Sequence, residues 1–322
     1  MYFKDKVIGG KTYRYLTKSI RLPDGSVKTL QRLVNAKEKI SLEAAAKRYA
    51  EYMGAEEKRV NSEYALSKYA ADSIFTKQQI SKVEDMEVEY NQMLKSFSKE
   101  QYKDVFDRFT ANFTYESNAI EGNSLTLKDV AIIIFDGRSP EGKDLREVYE
   151  TKNSRHVMDL ILKNKFKVAE RDILRMHKLI MKDIDSRLGY KKYPNFLVGN
   201  QVVLTPPEKV KEELNNLIRW YNETIKTTHP LRVSAHFHAR FEKIHPFADG
   251  NGRVGRLLSN VILMHSGYPP LIIRKTQRTS YLKCMGDFDR GYAPNLERFF
   301  LEKYKDTYQK FFKVYYGYMN PT

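Results

Sequence analysis

Polar and apolar residues alternate in TYRYLTKSIRLPDGSVKTLQRLV, on both sides of Pro23-Asp24-Gly25-Ser26. Period two around a cluster of turn formers predicts a β-hairpin. From Ser41 the spacing changes to that of helices, through EAAAKRYAEYM and a polar, weakly periodic stretch to about Ser98 that reads as a helical arm. Beyond Lys99 the helical patterns strengthen: QYKDVFDRFTANFTYESNAIEG, LKDVAIIIFDG closing on Gly137, VMDLILK and ERDILRMHKLIMKDI. NFLVGNQVVLTPP interrupts them, with β-branched residues around Gly199-Asn200 and a double proline at its end, and predicts a short hairpin inserted between helices. EKVKEELNNLIRWY, PLRVSAHFHARFEKI, RVGRLLSNVILMHSG and NLERFFLEKYKDTYQKFF resume the helical period. The expected fold is mainly α: a helical bundle over 96–322 with an inserted β-hairpin, preceded over 1–95 by a small β-hairpin and helical accessory region.

The composition of 322 residues, 41% hydrophobic and 12% aromatic, suits a folded chain with a proper core. Fifty-six Lys and Arg against forty Asp and Glu give a formal charge of +16, but mixed runs such as AKRYAEYMGAEEKR read as solvated helix faces. The hairpin concentrates base at Arg14, Lys18, Arg21, Lys28 and Arg32, which keeps a nucleic-acid partner open for that region without favouring it. A single cysteine, Cys284, allows no internal disulfide, and neither an apolar leader nor a run of eighteen apolar residues is present. A cytoplasmic protein without membrane contact is expected.

Candidate chemistry concentrates in IHPFADGNGRVGRLL, Ile244 to Leu258. Phe237, Phe241 and Ile244 mark the buried face of one helix, and Val254, Leu257, Leu258, Val261 and Ile262 that of the next, so HPFADGNG is a connector aimed at a helix N-terminus. Free backbone N–H groups and the positive end of the helix dipole meet there, and glycines admit a phosphate close to the backbone. Gly250, Asn251 and Gly252 therefore form an anion cradle. Arg253 and Arg256 add fork-shaped donors from one side of the first turn, which suits a di- or triphosphate. Asp249 supplies one hard oxygen ligand for Mg2+, and His245 titrates near neutrality as a general base must.

HPFADGNGR with Arg256 resembles, position for position, the HxFx(D/E)GNGRxxR signature of Fic-domain proteins, and the resemblance runs from about Phe106 to Phe300, about two-thirds of the chain. It implies a Fic-type helical domain that transfers AMP from ATP to a hydroxyl of a target protein. By position, His245 would take the proton of the attacking Ser, Thr or Tyr. Asp249 would hold Mg2+, or Mn2+ in its place, across the α and β phosphates. Asn251 would donate to the α-phosphate, while Gly250, Gly252, Arg253 and Arg256 would grip the phosphate tail. Val198, Gly199, Asn200 and Gln201 would form the nucleotide-facing tip of a flap that pairs with target backbone by strand addition. Tyr281 resembles an aromatic near the adenine, although Leu282 stands where relatives often carry a second aromatic.

SNAIEGN, from Ser117 to Asn123, resembles the family's inhibitory motif. Ser117 and Glu121 are i and i+4 and share a helix face over about 105–122. The resemblance implies that Glu121 pairs with Arg256 and occupies the space of the γ-phosphate, and that it can also orient water to remove AMP from a modified target. The target is not readable from the residues, and self-modification stays open; oligomeric state is open too, with a homodimer compatible with the family resemblance. Three alternatives remain: transfer of another phosphate-linked group on the same scaffold, as in a kinase; a nucleic-acid-associated regulator; and a zinc hydrolase built on His236, His238 and His245. The last is opposed by geometry, since residues two apart on a helix point about 200° apart.

Overall fold

The computed structural model describes residues 1–34, 39–195 and 203–319. Its chain divides into two compact units, Met1–Asn91 and Gln92–Thr322.

In the first unit the expected hairpin is β2 (Lys11–Arg21) and β3 (Val27–Val34). Gly25 takes φ 86°, and the Asp24 carboxylate accepts from the Ser26 N–H at 2.8 Å, which closes the turn. An additional strand, β1 (Tyr2–Ile8), extends it to an antiparallel sheet in the order β1-β2-β3. Gly9 and Gly10, both at positive φ, make the two-residue turn that joins β1 to β2, a conformation that costs glycine little. Leu16, Ile20, Leu30 and Val34 bury one face of the sheet against Ala45 of α1 (Leu42–Arg48) and Met53 of α2 (Ala50–Lys68). Several of the basic side chains are engaged locally: Arg14 with Asp5 at 2.9 Å, Lys18 with Glu57 at 2.5 Å, and Arg32 over the Tyr52 ring. Helix α3 (Lys77–Ser96) runs across the division between the units.

The second unit begins with α4 (Lys99–Ile120), started by a capping box between Ser98 and Gln101. Then come α5 (Leu127–Ala131), which passes through a π turn at Ile132–Asp136 and stops on left-handed Gly137, and α6 (Leu145–Leu162). Helices α7 (Glu170–Ile180), α8 (Val210–Thr224), α9 (Pro230–Ile244) and α10 (Asn251–His265) follow. The chain closes with α11 (Arg278–Asp289), α12 (Pro294–Thr307) and α13 (Lys313–Met319). Residues from Asn251 to Leu263 are buried almost without break, so α10 is the axis on which α4, α6, α7 and α9 pack. The N-terminus of α10 is the feature that this packing positions. Among the described residues, no helix is long and apolar enough to cross a membrane.

An aromatic cluster fixes α4. Phe109 is wholly buried, with its ring centroid 5.4 Å from Phe312 and 5.7 Å from Phe311. Phe109→Ala should therefore destabilise the second unit by about 3–5 kcal/mol, read from its denaturant midpoint. A loss under about 1 kcal/mol would show that α4 is not anchored by this ring.

Candidate active site

Helix α9 ends on His245, which adopts φ 48° and ψ 62°, a left-handed conformation uncommon outside glycine. That turn of the backbone, with Pro246 next, directs the chain away from α9 and lifts the imidazole into a cavity of about 710 Å3. Glu121, Glu242, His245, Asp249, Arg256 and Tyr281 are among the residues that line it. The connector is braced from both sides. The Asn251 amide accepts from the Phe247 N–H and donates to the Phe247 carbonyl, both at 2.9 Å. His177 of α7 stacks on the Phe247 ring at 3.8 Å and bonds the Asp249 carbonyl at 3.1 Å. Gly250 then caps α10 at φ 81° with no side-chain acceptor on the helix's first N–H groups, so the cradle has the open donors that an anion needs.

The two arginines, expected to work side by side, are held by different helices. Arg253 turns toward α6, where Nη1 lies 3.1 Å from Glu150, and its Nη2 is 3.5 Å from Asp249. Arg256 turns toward α4: it donates to the Ser117 hydroxyl at 3.0 Å, to the Ser117 carbonyl at 2.8 Å and to the Glu121 carboxylate at 2.7 Å. Glu121 itself is the C-cap of α4 and stands directly over Gly252, where a Cβ would collide with its carboxylate. Its negative charge therefore lies in the cradle beside a buried arginine. Arg278 donates to the Ile120 carbonyl at 2.9 Å and the Lys275 N–H to Glu116 at 2.7 Å, and together these hold the end of α4 in place.

His245 donates its Nδ1–H to the Glu242 carbonyl, 3.2 Å away, which leaves the Nε2 lone pair for the cavity. Burial, foremost among several influences, lowers its pKa to about 4, so the ring is neutral at physiological pH and free to take a proton. Asp249 is one-third exposed, with Oδ2 at 2.7 Å from Arg146. Among the described residues no group of three or more His, Cys, Asp or Glu gathers to cage a metal. A lone carboxylate between arginines, next to an anion cradle, fits a divalent ion that arrives with a polyphosphate and takes most of its ligands from it.

Of the remaining expected residues, Tyr281 is buried, and its hydroxyl pairs with His238 Nε2 at 2.5 Å, which places the ring on the cavity wall beside Leu282. His236 instead pairs with Glu297 at 2.7 Å, so the HxH pair serves two separate partners. Val198, Gly199, Asn200 and Gln201 lie outside the described residues. The chain on either side of them is tied to the connector: Asn195 donates to the Phe247 carbonyl at 3.0 Å, and the Thr205 N–H to the Lys243 carbonyl at 3.2 Å. Sequence reasoning missed His177, Arg146, Glu150 and Glu242. Glu242 had a visible signal, because His238, Glu242 and His245 recur at i, i+4 and i+7, a polar stripe on an otherwise apolar helix. The other three come from α6 and α7, and only the packing brings them to the site.

Residues 167–263 match the Fic/DOC family. A protein adenylyltransferase Fic from Drosophila erecta is 35% identical over 175 residues, which is 52% of this chain and 34% of that protein. Its Drosophila melanogaster counterpart is 34% identical over 52% of this chain and 35% of that protein. The chain thus spans about a third of the length of the curated relatives it matches. Among solved structures, a Fic domain containing signaling protein from Bacteroides thetaiotaomicron superposes with a TM-score of 0.66 at 24% identity, covering 73% of this chain and 98% of that one. A Fic-1 segment from C. elegans gives 0.64 at 26% identity, covering 74% and 72%.

Asn251→Ala should cost about 1–3 kcal/mol, because it strands the buried N–H and carbonyl of Phe247. Chemical denaturation measures this, and an unchanged midpoint would mean that the connector is held without the amide.

Proposed function

We propose that this chain, which carries a Fic/DOC-family domain over residues 167–263, is a protein adenylyltransferase that moves AMP from ATP to a hydroxyl side chain of a target protein and is restrained by its own Glu121. The observation that carries the reading is the placement of the Glu121 carboxylate. It occupies an anion cradle at a helix N-terminus and holds the buried arginine that would otherwise bind phosphate. A site built for a polyphosphate and filled by an internal acid is a site at rest.

In the working state the triphosphate replaces Glu121 over Gly252 and on Arg256, while the backbone N–H groups at the start of α10 receive further phosphate oxygens. Asn251 keeps one amide donor on Phe247 and turns its other toward the α-phosphate. Asp249, released from Arg146, would hold Mg2+ or Mn2+, which would supply neutralisation of the phosphate charge. His245 Nε2 removes the proton of the acceptor hydroxyl as its oxygen bonds to the α-phosphorus and the bond to the β-phosphate oxygen breaks, releasing pyrophosphate. Little is asked of any residue beyond position and fixed positive charge, which is how phosphoryl-type transfer is accelerated. The segment between Asn195 and Thr205 would pair with target backbone by strand addition and bring the acceptor hydroxyl to His245.

With α-labelled ATP and Mg2+, the intact chain should label itself or an added protein weakly, Glu121→Gly should raise the signal at least about tenfold, and His245→Ala should abolish it in both backgrounds. Transfer of the γ-phosphate instead would make the protein a kinase, and strong labelling by His245→Ala would remove the histidine from the chemistry.

A further inference from the structure

The cavity wall holds a second acid for which the chemistry above has no use. Glu242 lies on the last turn of α9, and its Oε2 is 3.9 Å from His245 Nδ1. Its other oxygen, Oε1, is buried and makes no hydrogen bond among the described residues. That oxygen rests against α10 where Gly255 removes the obstacle: a Cβ at 255 would stand 2.6 Å from Oε1 and 2.9 Å from His238 Nδ1. A glycine at the helix crossing therefore makes room for a carboxyl directly behind the imidazole. An acid set so deep, and lacking a hydrogen bond on its inner oxygen, carries a cost that packing alone does not explain.

Building on the adenylyl-transfer reading, we propose that Glu242 is a positioning residue for His245, whose carboxylate behind Nδ1 stabilises the imidazolium formed when Nε2 takes the acceptor's proton. The proton goes from the acceptor oxygen to Nε2, the oxygen–phosphorus bond forms and pyrophosphate leaves. Glu242 neither gains nor loses a bond; it supplies the opposite charge. The groups facing it set when that charge is present. His238 shares its helix, Glu121 approaches from the end of α4, Arg256 from α10, and Tyr281 and Asp289 from α11, while Lys191 acts on the imidazole. Burial first, then Glu121, pushes the Glu242 pKa up to about 8, and Arg256 opposes them. Below that pH the carboxyl is neutral and gives the imidazolium little; above it the carboxylate makes Nε2 a stronger base. Glu121 therefore restrains the site twice, by holding Arg256 and by discouraging the ionisation of Glu242.

The full chain tests this in the Glu121→Gly background, with and without Glu242→Gln. Glutamine is the isostere of the protonated acid, so the fold is retained. With Glu242 present, kcat for AMP transfer should climb through the Glu242 pKa, which the loss of Glu121 moves below about 8, and level off; with Glu242→Gln it should stay flat and end about tenfold lower, a factor that corresponds to one unit of lost basicity. KM for ATP should change by less than about twofold, since the carboxyl faces the imidazole and not the phosphates. Independently of turnover, NMR of histidine-labelled protein should show the His245 resonance, identified by its loss in His245→Ala, shifting again over the pH range of the kcat rise, and Glu242→Gln should erase that step. Identical pH–rate profiles, or no such step in the Glu242 protein, would overturn the proposal. If Glu121→Gly transfers no AMP at any pH, the adenylyl-transfer reading fails, and the NMR step still decides whether Glu242 faces the histidine's charge.

Discussion

The arrangement depends on a buried guanidinium. Arg256 is only 4% exposed and sits on the central helix of the second unit, so it must be met by acceptors on every side that water cannot reach. Ser117 meets it with a hydroxyl and a carbonyl, and Glu121 with a full negative charge. The space next to Arg256 is therefore filled by an internal carboxylate, that of Glu121. That contact makes α4, a packing element, also the source of the counterion for Arg256, and on the proposed reading a competitor for the ligand.

The same constraint explains how α4 is held. Its first half is locked by aromatic packing of Phe106 and Phe109, while its near end is fastened by polar contacts from the start of α11 and the residues just before it, with Lys275 at Glu116 and Arg278 at Ile120. Apolar burial is indifferent to what happens in the cavity, whereas hydrogen bonds at a half-exposed helix end are individually modest. The helix is thus firmly attached at one end and exchangeably attached at the other, which is the distribution a restraint requires if Glu121 is to yield its place without the unit unfolding.

Much of this was legible in the residues because its signals are local. The helix bounds, the stop at Gly137 and the pairing of β2 with β3 follow from periodicity and turn chemistry, and IHPFADGNGRVGRLL held the histidine, acid, glycines and arginines that the fold brings to one cavity. The third strand was not read because MYFKDKVIGGK shows its alternation only once Gly9-Gly10 is recognised as a two-residue turn. The site's remaining members came from elsewhere in the chain: Arg146 and Glu150 reach the connector across about a hundred positions, and no spacing rule links residues that meet only after α6 packs against α10. Their effect was to reassign Arg253, which the first turn of α10 shares with Arg256 but which α6 draws away.

Glu242 shows why a residue can be visible and still be passed over. In FEKIHPF it follows Phe241, and charged residues beside core residues commonly lie at the edge of a buried stripe and reach solvent. Whether this one does is decided by what crosses α9 at that level, and what crosses is Gly255, whose lack of a side chain was legible only as a helix glycine of no evident purpose. The close approach of α9 and α10 at that point buries the inner oxygen of an otherwise part-exposed acid and sets the carboxyl beside the histidine. The surroundings of the connector histidine thus rest on a packing decision made one helical turn away, at a position whose importance lies in the side chain it does not have.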